Sequence, residues 1–136
     1  MPPRKTKKGL TWADVRRIAL TFPGVEEGTS YGTPGFRAAK KFWTRLKEDG
    51  KSIVVRVAME EREVLMELDP ETFFITPHYR DYPAMLVNLA SAHEAQVHRL
   101  LEQSWRAAAT KKLLAAYEAG ATPAPVKRSG GARRKR

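Results

Sequence analysis

Residues 41–57, KFWTRLKEDGKSIVVRV, are typical of two β-strands joined by a tight turn. Two strand-like runs, residues 42–47 and 52–57, flank an Asp-Gly pair, which is a pair that a type I′ hairpin turn prefers. With Asp49-Gly50 as the loop, counting outward gives an apolar face made of the pairs Leu46 with Ile53, Thr44 with Val55, and Phe42 with Val57. We expect this face to lie in the core, because a strand alternates its side chains between two faces.

The opposite face of this hairpin carries a basic strip. Lys41, Trp43, Arg45 and Lys47 share one parity, and Arg56 lies opposite Trp43. Cations around an indole suit a nucleic acid, because the ring can stack on a base while the cations contact phosphate. Alternatively, a helix covers Trp43 and the basic side chains extend around it. In the first case Trp43→Ala weakens binding to single strands more than to duplexes, and in the second it lowers the melting temperature.

Periodicity and capping signals predict the other elements. We expect a helix over about 12–21 with a Thr11–Asp14 capping box, a loop over 24–35, a strand over 36–39, a helix over 60–68 with Val64, Leu65 and Leu68 inward, and strands over 73–76 and 84–89. A second capping box at 91–94 opens a long helix that bends or ends near Thr110. The fold class is therefore α+β: a two-layer sandwich of helices on an antiparallel sheet of about five strands, in the order α-β3-α-β2-α. The predicted core comprises Trp12, Val15, Ile18, Phe22, Phe42, Leu46, Ile53, Val55, Val57, Leu101 and Trp105.

The formal net charge of +10 comes from the two ends of this 136-residue chain. Residues 10–122 hold equal numbers of basic and acidic side chains, so the predicted domain at 10–120 is neutral. We predict disordered basic arms at 1–9 and 121–136, because both lack apolar periodicity. They carry ten cations: Arg4, Lys5, Lys7, Lys8, Lys127, Arg128, Arg133, Arg134, Lys135 and Arg136.

Several classes of protein are excluded by composition. The chain has no cysteine, so it has no disulfide framework, no thiol catalysis and no Cys-ligated metal. No apolar run reaches the roughly 18 residues of a membrane span, and no apolar signal segment follows the charged N-terminus, so we expect a cytoplasmic protein. His93 and His98 are too far apart around a helix to share a metal. We therefore expect no metal, no cofactor and no catalytic residue.

Outside the hairpin, the loop PHYRDYP, residues 77–83, has the composition most typical of a binding site. It places imidazole, guanidinium, carboxylate and phenol groups between two strands, which suits a small ligand or a nucleotide. Alternatively, it is a structural turn whose tyrosines cover the edge of the core. The Ser30-Tyr31 pair could pack against this loop. The possible ligand residues are Ser30, Tyr31, His78, Tyr79, Arg80 and Tyr82.

Four strings together resemble the MmcQ/YjbR family: PGVEE at 23–27, SYGTPGF at 30–36, KFWTRL at 41–46, and residues 73–87. The likeness covers about residues 11–108. It implies a two-layer fold of the secretion-chaperone and CyaY-like type and a DNA-binding role. The sequence departs from the family at Ala39-Lys40, where relatives often have a glycine, and in its basic arms.

Three functions follow as hypotheses. The first is a non-enzymatic nucleic-acid-binding protein, with DNA as the expected partner, that acts through the arms and the hairpin strip. The second is a protein-interaction module, because related folds present their sheets to partner proteins. The third is a small-ligand or nucleotide-binding protein that uses the 77–83 loop. Salt dependence separates the first two, because phosphate binding weakens steeply as salt rises.

Overall fold

The computed structural model describes residues 9–120. All ten cations of the predicted arms lie outside the described residues. The elements run in the order α1 (Trp12–Ala19), β1 (Val25–Ser30), β2 (Thr33–Ala38), β3 (Lys41–Leu46), β4 (Ser52–Arg56), α2 (Met59–Leu68), β5 (Phe73–Phe74), β6 (Ala84–Asn88), α3 (Glu94–Ala108) and α4 (Lys111–Glu118), with 3₁₀ turns at Pro77–Tyr79 and Leu89–Ser91. None of the helices in this part of the chain has the length and apolar character needed to cross a membrane.

The strands form one antiparallel sheet in the order β1-β2-β3-β4-β6-β5, and α3 packs across β2, β3 and β4. The predicted α+β class is confirmed, with six strands rather than five. The additional strand is β1, which lies within the glycine-rich segment 24–35 that was predicted as a loop. It is an edge strand that pairs with β2 alone, so its polar side chains stay in solvent.

The type I′ turns of the sheet lie at other positions than the sequence predicted. The β1–β2 turn and the β2–β3 turn each have two residues with positive φ, Tyr31-Gly32 and Ala39-Lys40, which is the type I′ pattern. The predicted type I′ turn at Asp49-Gly50 is wrong, because only its glycine has positive φ. The Asp49 carboxylate instead accepts bonds from the backbone N–H groups of residues 51 and 52, at 2.8 and 3.0 Å.

The register of the β3–β4 hairpin is nevertheless the predicted one, with Thr44 opposite Val55 and Leu46 opposite Ile53. The face assignment fails at one end of β3. Between β2 and β3, Phe36 pairs with Thr44 and Arg37 pairs with Phe42, which leaves Trp43 as an extra residue. Such a bulge lets neighbouring side chains face the same side of the sheet.

Trp43 and Thr44 are consequently both buried. The Trp43 side chain is only 2% exposed, and its ring lies 6.0 Å from Phe22 and 6.2 Å from Phe36, centroid to centroid. Phe42, predicted in the core, is half-buried outside it, where the Arg37 guanidinium lies 5.5 Å from its ring centroid. The bulge therefore exchanges the predicted positions of the two aromatic side chains.

A serine of α3 closes the hairpin beyond the bulge. The paired register stops at Thr44 and Val55. There the buried Ser104 hydroxyl accepts a bond from the Arg56 backbone N–H at 2.9 Å and donates one to the Trp43 carbonyl oxygen. The Ser104 side chain thus supplies hydrogen-bond partners to two backbone groups that are no longer paired between β3 and β4.

We predict that Ser104→Ala lowers the free energy of unfolding by about 2 kcal/mol or more, because two backbone groups lose a buried partner. Chemical denaturation measures this loss. Gln103→Ala, an exposed change on the same helix, is the control and should stay within about 0.5 kcal/mol. Equal losses for both variants would mean that the serine does not close the hairpin.

The helices follow the predictions with two corrections. The Thr11–Asp14 capping box and the break at Thr110 are both confirmed. The predicted capping box at 91–94 is wrong, because α3 begins only at Glu94 and the Ser91 hydroxyl lies 2.7 Å from the hydroxyl of Thr72.

In α2 the inward face is also different. Val64 and Leu68, predicted inward, are 55% and 75% exposed, whereas Leu65 is buried as predicted. The buried neighbour of Leu65 on this face is Arg62. The apolar pattern of α2 therefore did not predict that a basic residue is buried on this face.

Candidate nucleic-acid interface

A groove of about 480 Å³ opens on the sheet face opposite α3. Arg45 and Val54 form a pair on this face, because their neighbours Thr44 and Val55 point into the core. The β1–β2 turn and the 3₁₀ turn at Pro77–Tyr79 contribute the remaining walls. We call this site the outer groove, and it brings together eight of the predicted binding residues: Ser30, Tyr31, Trp43, Arg45, Lys47, Arg56, His78 and Tyr79.

Arg45 joins the walls of the outer groove. Its guanidinium donates to the hydroxyls of Tyr79 and Thr33, each at 3.3 Å, and lies 5.0 Å from the centroid of the Tyr31 ring. Its side chain is only 12% exposed, and it also lies 3.6 Å from a Glu48 carboxylate oxygen. Tyr31 and Tyr79 of the 77–83 loop both contact this arginine, which links the two aromatic walls.

Tyr31 is the most exposed aromatic side chain of the described residues, at 82%. It lies at the tip of the β1–β2 turn with φ of 55°. A left-handed conformation costs a residue with a side chain roughly 1–2 kcal/mol, and glycine or asparagine would adopt it more easily. The Tyr31 ring is thus exposed at the mouth of the groove and is carried by a strained turn.

The other two cations of the groove differ in how far they are neutralised. The Lys47 ammonium lies 3.3 Å from a Glu48 carboxylate oxygen and 5.9 Å from the centroid of the Tyr79 ring. A hydrogen bond from the Glu48 backbone and a second one from Lys47 lower the pKa of the Glu48 carboxyl group. Arg56 is exposed, and its side chain has no hydrogen bond or ion pair with any residue of 9–120. The free positive charge is therefore at Arg56.

Arg62 shapes the loop that carries the second aromatic wall, and the sequence did not predict this role. Its Nη1 donates to the carbonyl oxygens of Tyr79, Tyr82 and Ala84, at 2.9, 2.7 and 3.0 Å, and its Nη2 donates to that of Arg80 at 2.9 Å. The residue is 4% exposed. The only signal in the sequence was a single base among the acidic residues of α2.

Three predicted residues of the folded domain lie outside this arrangement, and a fourth, Trp43, borders it without presenting its ring. The Trp43 side chain is in the core and cannot stack on a base, although the residue borders the groove. Lys41 is exposed but does not line the groove, and the same holds for Arg80 and Tyr82 of the 77–83 loop. The strip predicted on the hairpin is thus reduced to Arg45, Lys47 and Arg56, and the tyrosines beside these cations come from other segments.

The fold and the site together define a class of protein: a two-layer α+β domain with a basic, aromatic groove on the open face of its sheet. Residues 20–107 match the model of the YjbR family, and the chain belongs to that family. Uncharacterised proteins of Mycobacterium bovis and Mycobacterium tuberculosis are 27% identical over 125 residues, covering 79% of this chain and 95% of theirs. A Deinococcus radiodurans protein of known crystal structure has a similar fold, with a TM-score of 0.64, 18% identity, and coverage of 82% of this chain and 88% of that one.

Proposed function

We propose that this protein binds nucleic acid without enzymatic activity and that the outer groove receives single-stranded segments. DNA is the expected partner. The observation that carries the proposal is the exposed ring of Tyr31, which lies over Arg45 at the mouth of a groove lined by further cations. A cytoplasmic location is part of the proposal, because the protein would encounter a nucleic-acid partner in that compartment.

The chemistry of the groove suits a single strand better than a duplex. A tyrosine ring can stack only on a base that is not already stacked and paired, and such stacking contributes about 1–3 kcal/mol per base. The lining residues include three cations, Arg45, Lys47 and Arg56, against one carboxylate, that of Glu48. Cations beside an aromatic ring match a nucleotide, which carries a phosphate beside a base.

The basic arms would add affinity that does not depend on sequence. Each phosphate contacted by lysine or arginine releases condensed counterions, so the affinity falls as salt rises. If about six of the ten arm cations engage, the logarithmic salt slope is near −5, and the affinity falls roughly 10³-fold between about 50 and 200 mM salt. Binding in the groove adds the contribution of stacking, which favours single strands.

The test is fluorescence anisotropy of the full chain with a labelled oligothymidylate of about 12 nucleotides and with a duplex of equal length. The proposal expects tighter binding to the single strand at about 200 mM salt, where the contribution of the arms is weakened. Equal affinity for both partners at every salt concentration would assign binding to the arms and remove the groove from the proposal.

Tyr31→Asn separates binding from folding. Asparagine fits the left-handed turn better than tyrosine, so we predict a free energy of unfolding about 1 kcal/mol higher. Loss of the ring should weaken single-strand binding about 5-fold to 150-fold, which corresponds to 1–3 kcal/mol. Denaturation and anisotropy on the same samples measure both effects.

Tyr82→Asn is the matched control, since Tyr82 is an exposed tyrosine outside the groove. It should leave single-strand binding unchanged. If Tyr31→Asn binds as tightly as the unmodified chain, the ring of Tyr31 does not stack on a base.

A protein-interaction role is the second candidate, and the exposed apolar side chains of Val64 and Leu68 on α2 favour it. An apolar interface depends weakly on salt, whereas phosphate binding depends on it steeply. A partner captured at high salt and lost in Leu68→Ser would support this second role.

A further inference from the structure

The outer groove has different chemistry at its two ends. Lys47 lies opposite Ser52, and Arg56 is four residues further along β4, so their backbone positions lie about 13 Å apart along the strand, at roughly 3.3 Å per residue. Glu48 pairs with the cation at the Lys47 end. At the other end, the Arg56 guanidinium has no partner within the described residues. An anion entering the groove is therefore attracted to the Arg56 end.

The tyrosine rings of the groove contact the residues at its Lys47 end, whereas Phe42, which also lines the groove, is five residues before Lys47 on β3. The Tyr31 ring covers Arg45, and the Tyr79 ring lies beside Lys47. The half-buried Val54 lies in the outward row of β4 between Ser52 and Arg56, and it gives the groove an apolar floor. From the Lys47 end, the groove thus presents tyrosine rings, an apolar lining from Val54 and Phe42, and a free cation.

This order matches one nucleotide. A base fits against the aromatic walls, a sugar fits over the apolar floor, and a phosphate reaches the free cation. The volume of about 480 Å³ lies within the range of about 300–1,000 Å³ that is usual for small-ligand sites. The Ser30 hydroxyl and the Glu48 carboxylate, both at the aromatic end, can bond the polar edge of a base.

We infer that the outer groove is a mononucleotide site, with the base at Tyr31 and the phosphate at Arg56, and that it accepts a free nucleoside monophosphate. The inference rests on the proposed function and deepens it, because it assigns one nucleotide and one direction to the groove. A single strand then enters with one nucleotide in the groove while the neighbouring nucleotides remain outside.

The experiment is displacement of labelled oligothymidylate from the full chain by three competitors: thymidine 5′-monophosphate, thymidine and inorganic phosphate. We expect the monophosphate to compete at least about tenfold better than either of the others, because only it engages both ends of the groove. Arg56→Gln should remove this advantage and leave competition by thymidine unchanged. Arg80→Gln, an exposed arginine outside the groove, is the control and should behave as the unmodified chain.

Direct calorimetric titration with thymidine 5′-monophosphate separates the inference from the proposed function. Binding of the monophosphate without binding of the oligonucleotide would support the mononucleotide site and overturn the proposed function. Binding of the oligonucleotide with equal competition by all three compounds would overturn the mononucleotide site alone. Absence of binding by both would overturn the two together, and an advantage that survives Arg56→Gln would overturn the assigned direction.

Discussion

Arg62→Met is expected to lower the free energy of unfolding by about 3–5 kcal/mol, because several backbone carbonyl groups lose a buried charged donor at once. The guanidinium bonds the carbonyl oxygens of residues 79, 80, 82 and 84, with three of these bonds at one nitrogen. A methionine fills much of the volume but donates nothing. Chemical denaturation with a far-ultraviolet signal measures the loss.

The matched control is Arg80→Met, which replaces an exposed arginine of the loop itself. It should stay within about 0.5 kcal/mol, as surface changes usually do. A loss of less than 1 kcal/mol for Arg62→Met would mean that water or another group supports the loop as well as the guanidinium does. The account of the second aromatic wall would then be wrong.

Trp43→Ala is expected to cost about 3–5 kcal/mol, the usual effect of truncating a large buried aromatic side chain. The indole packs between Phe22 and Phe36 in the core. Since small domains have only about 5–15 kcal/mol of stability, this variant can unfold outright. Trp43→Phe keeps an aromatic ring in the core and should fold with a smaller loss.

Binding by Trp43→Phe distinguishes a core residue from a stacking residue. We expect its affinity for a single strand to equal that of the unmodified chain at a temperature where both are folded. A folded Trp43→Phe that binds much more weakly would restore the tryptophan to the binding surface. Circular dichroism melting and anisotropy on the same samples give both quantities.

The sequence predicted the β3–β4 hairpin because local signals agree there. The strand-like runs and the turn residues defined the register even though the turn type was wrong. The bulge at Trp43 left no such signal, because it is set by how β2 and α3 pack against β3. A pattern of period two cannot show where the period is interrupted.

The site was predictable in parts but not as a whole. Parity alone placed Arg45 and Lys47 on one face, and the composition of the 77–83 loop singled out Tyr79. The sequence could not predict that these groups line one groove, because the contacts join residues more than 30 positions apart. Nor could it predict Arg62, since a lone base on an acidic helix is usually exposed.

The most direct test of the outer groove is the amide ¹⁵N–¹H spectrum of the labelled full chain during titration with oligothymidylate at about 200 mM salt. Our account predicts that the largest shift changes within residues 9–120 occur at Tyr31, Arg45, Lys47, Arg56 and Tyr79, the residues around the groove. Shift changes confined to residues 1–8 and 121–136, with those five amides unmoved, would contradict it.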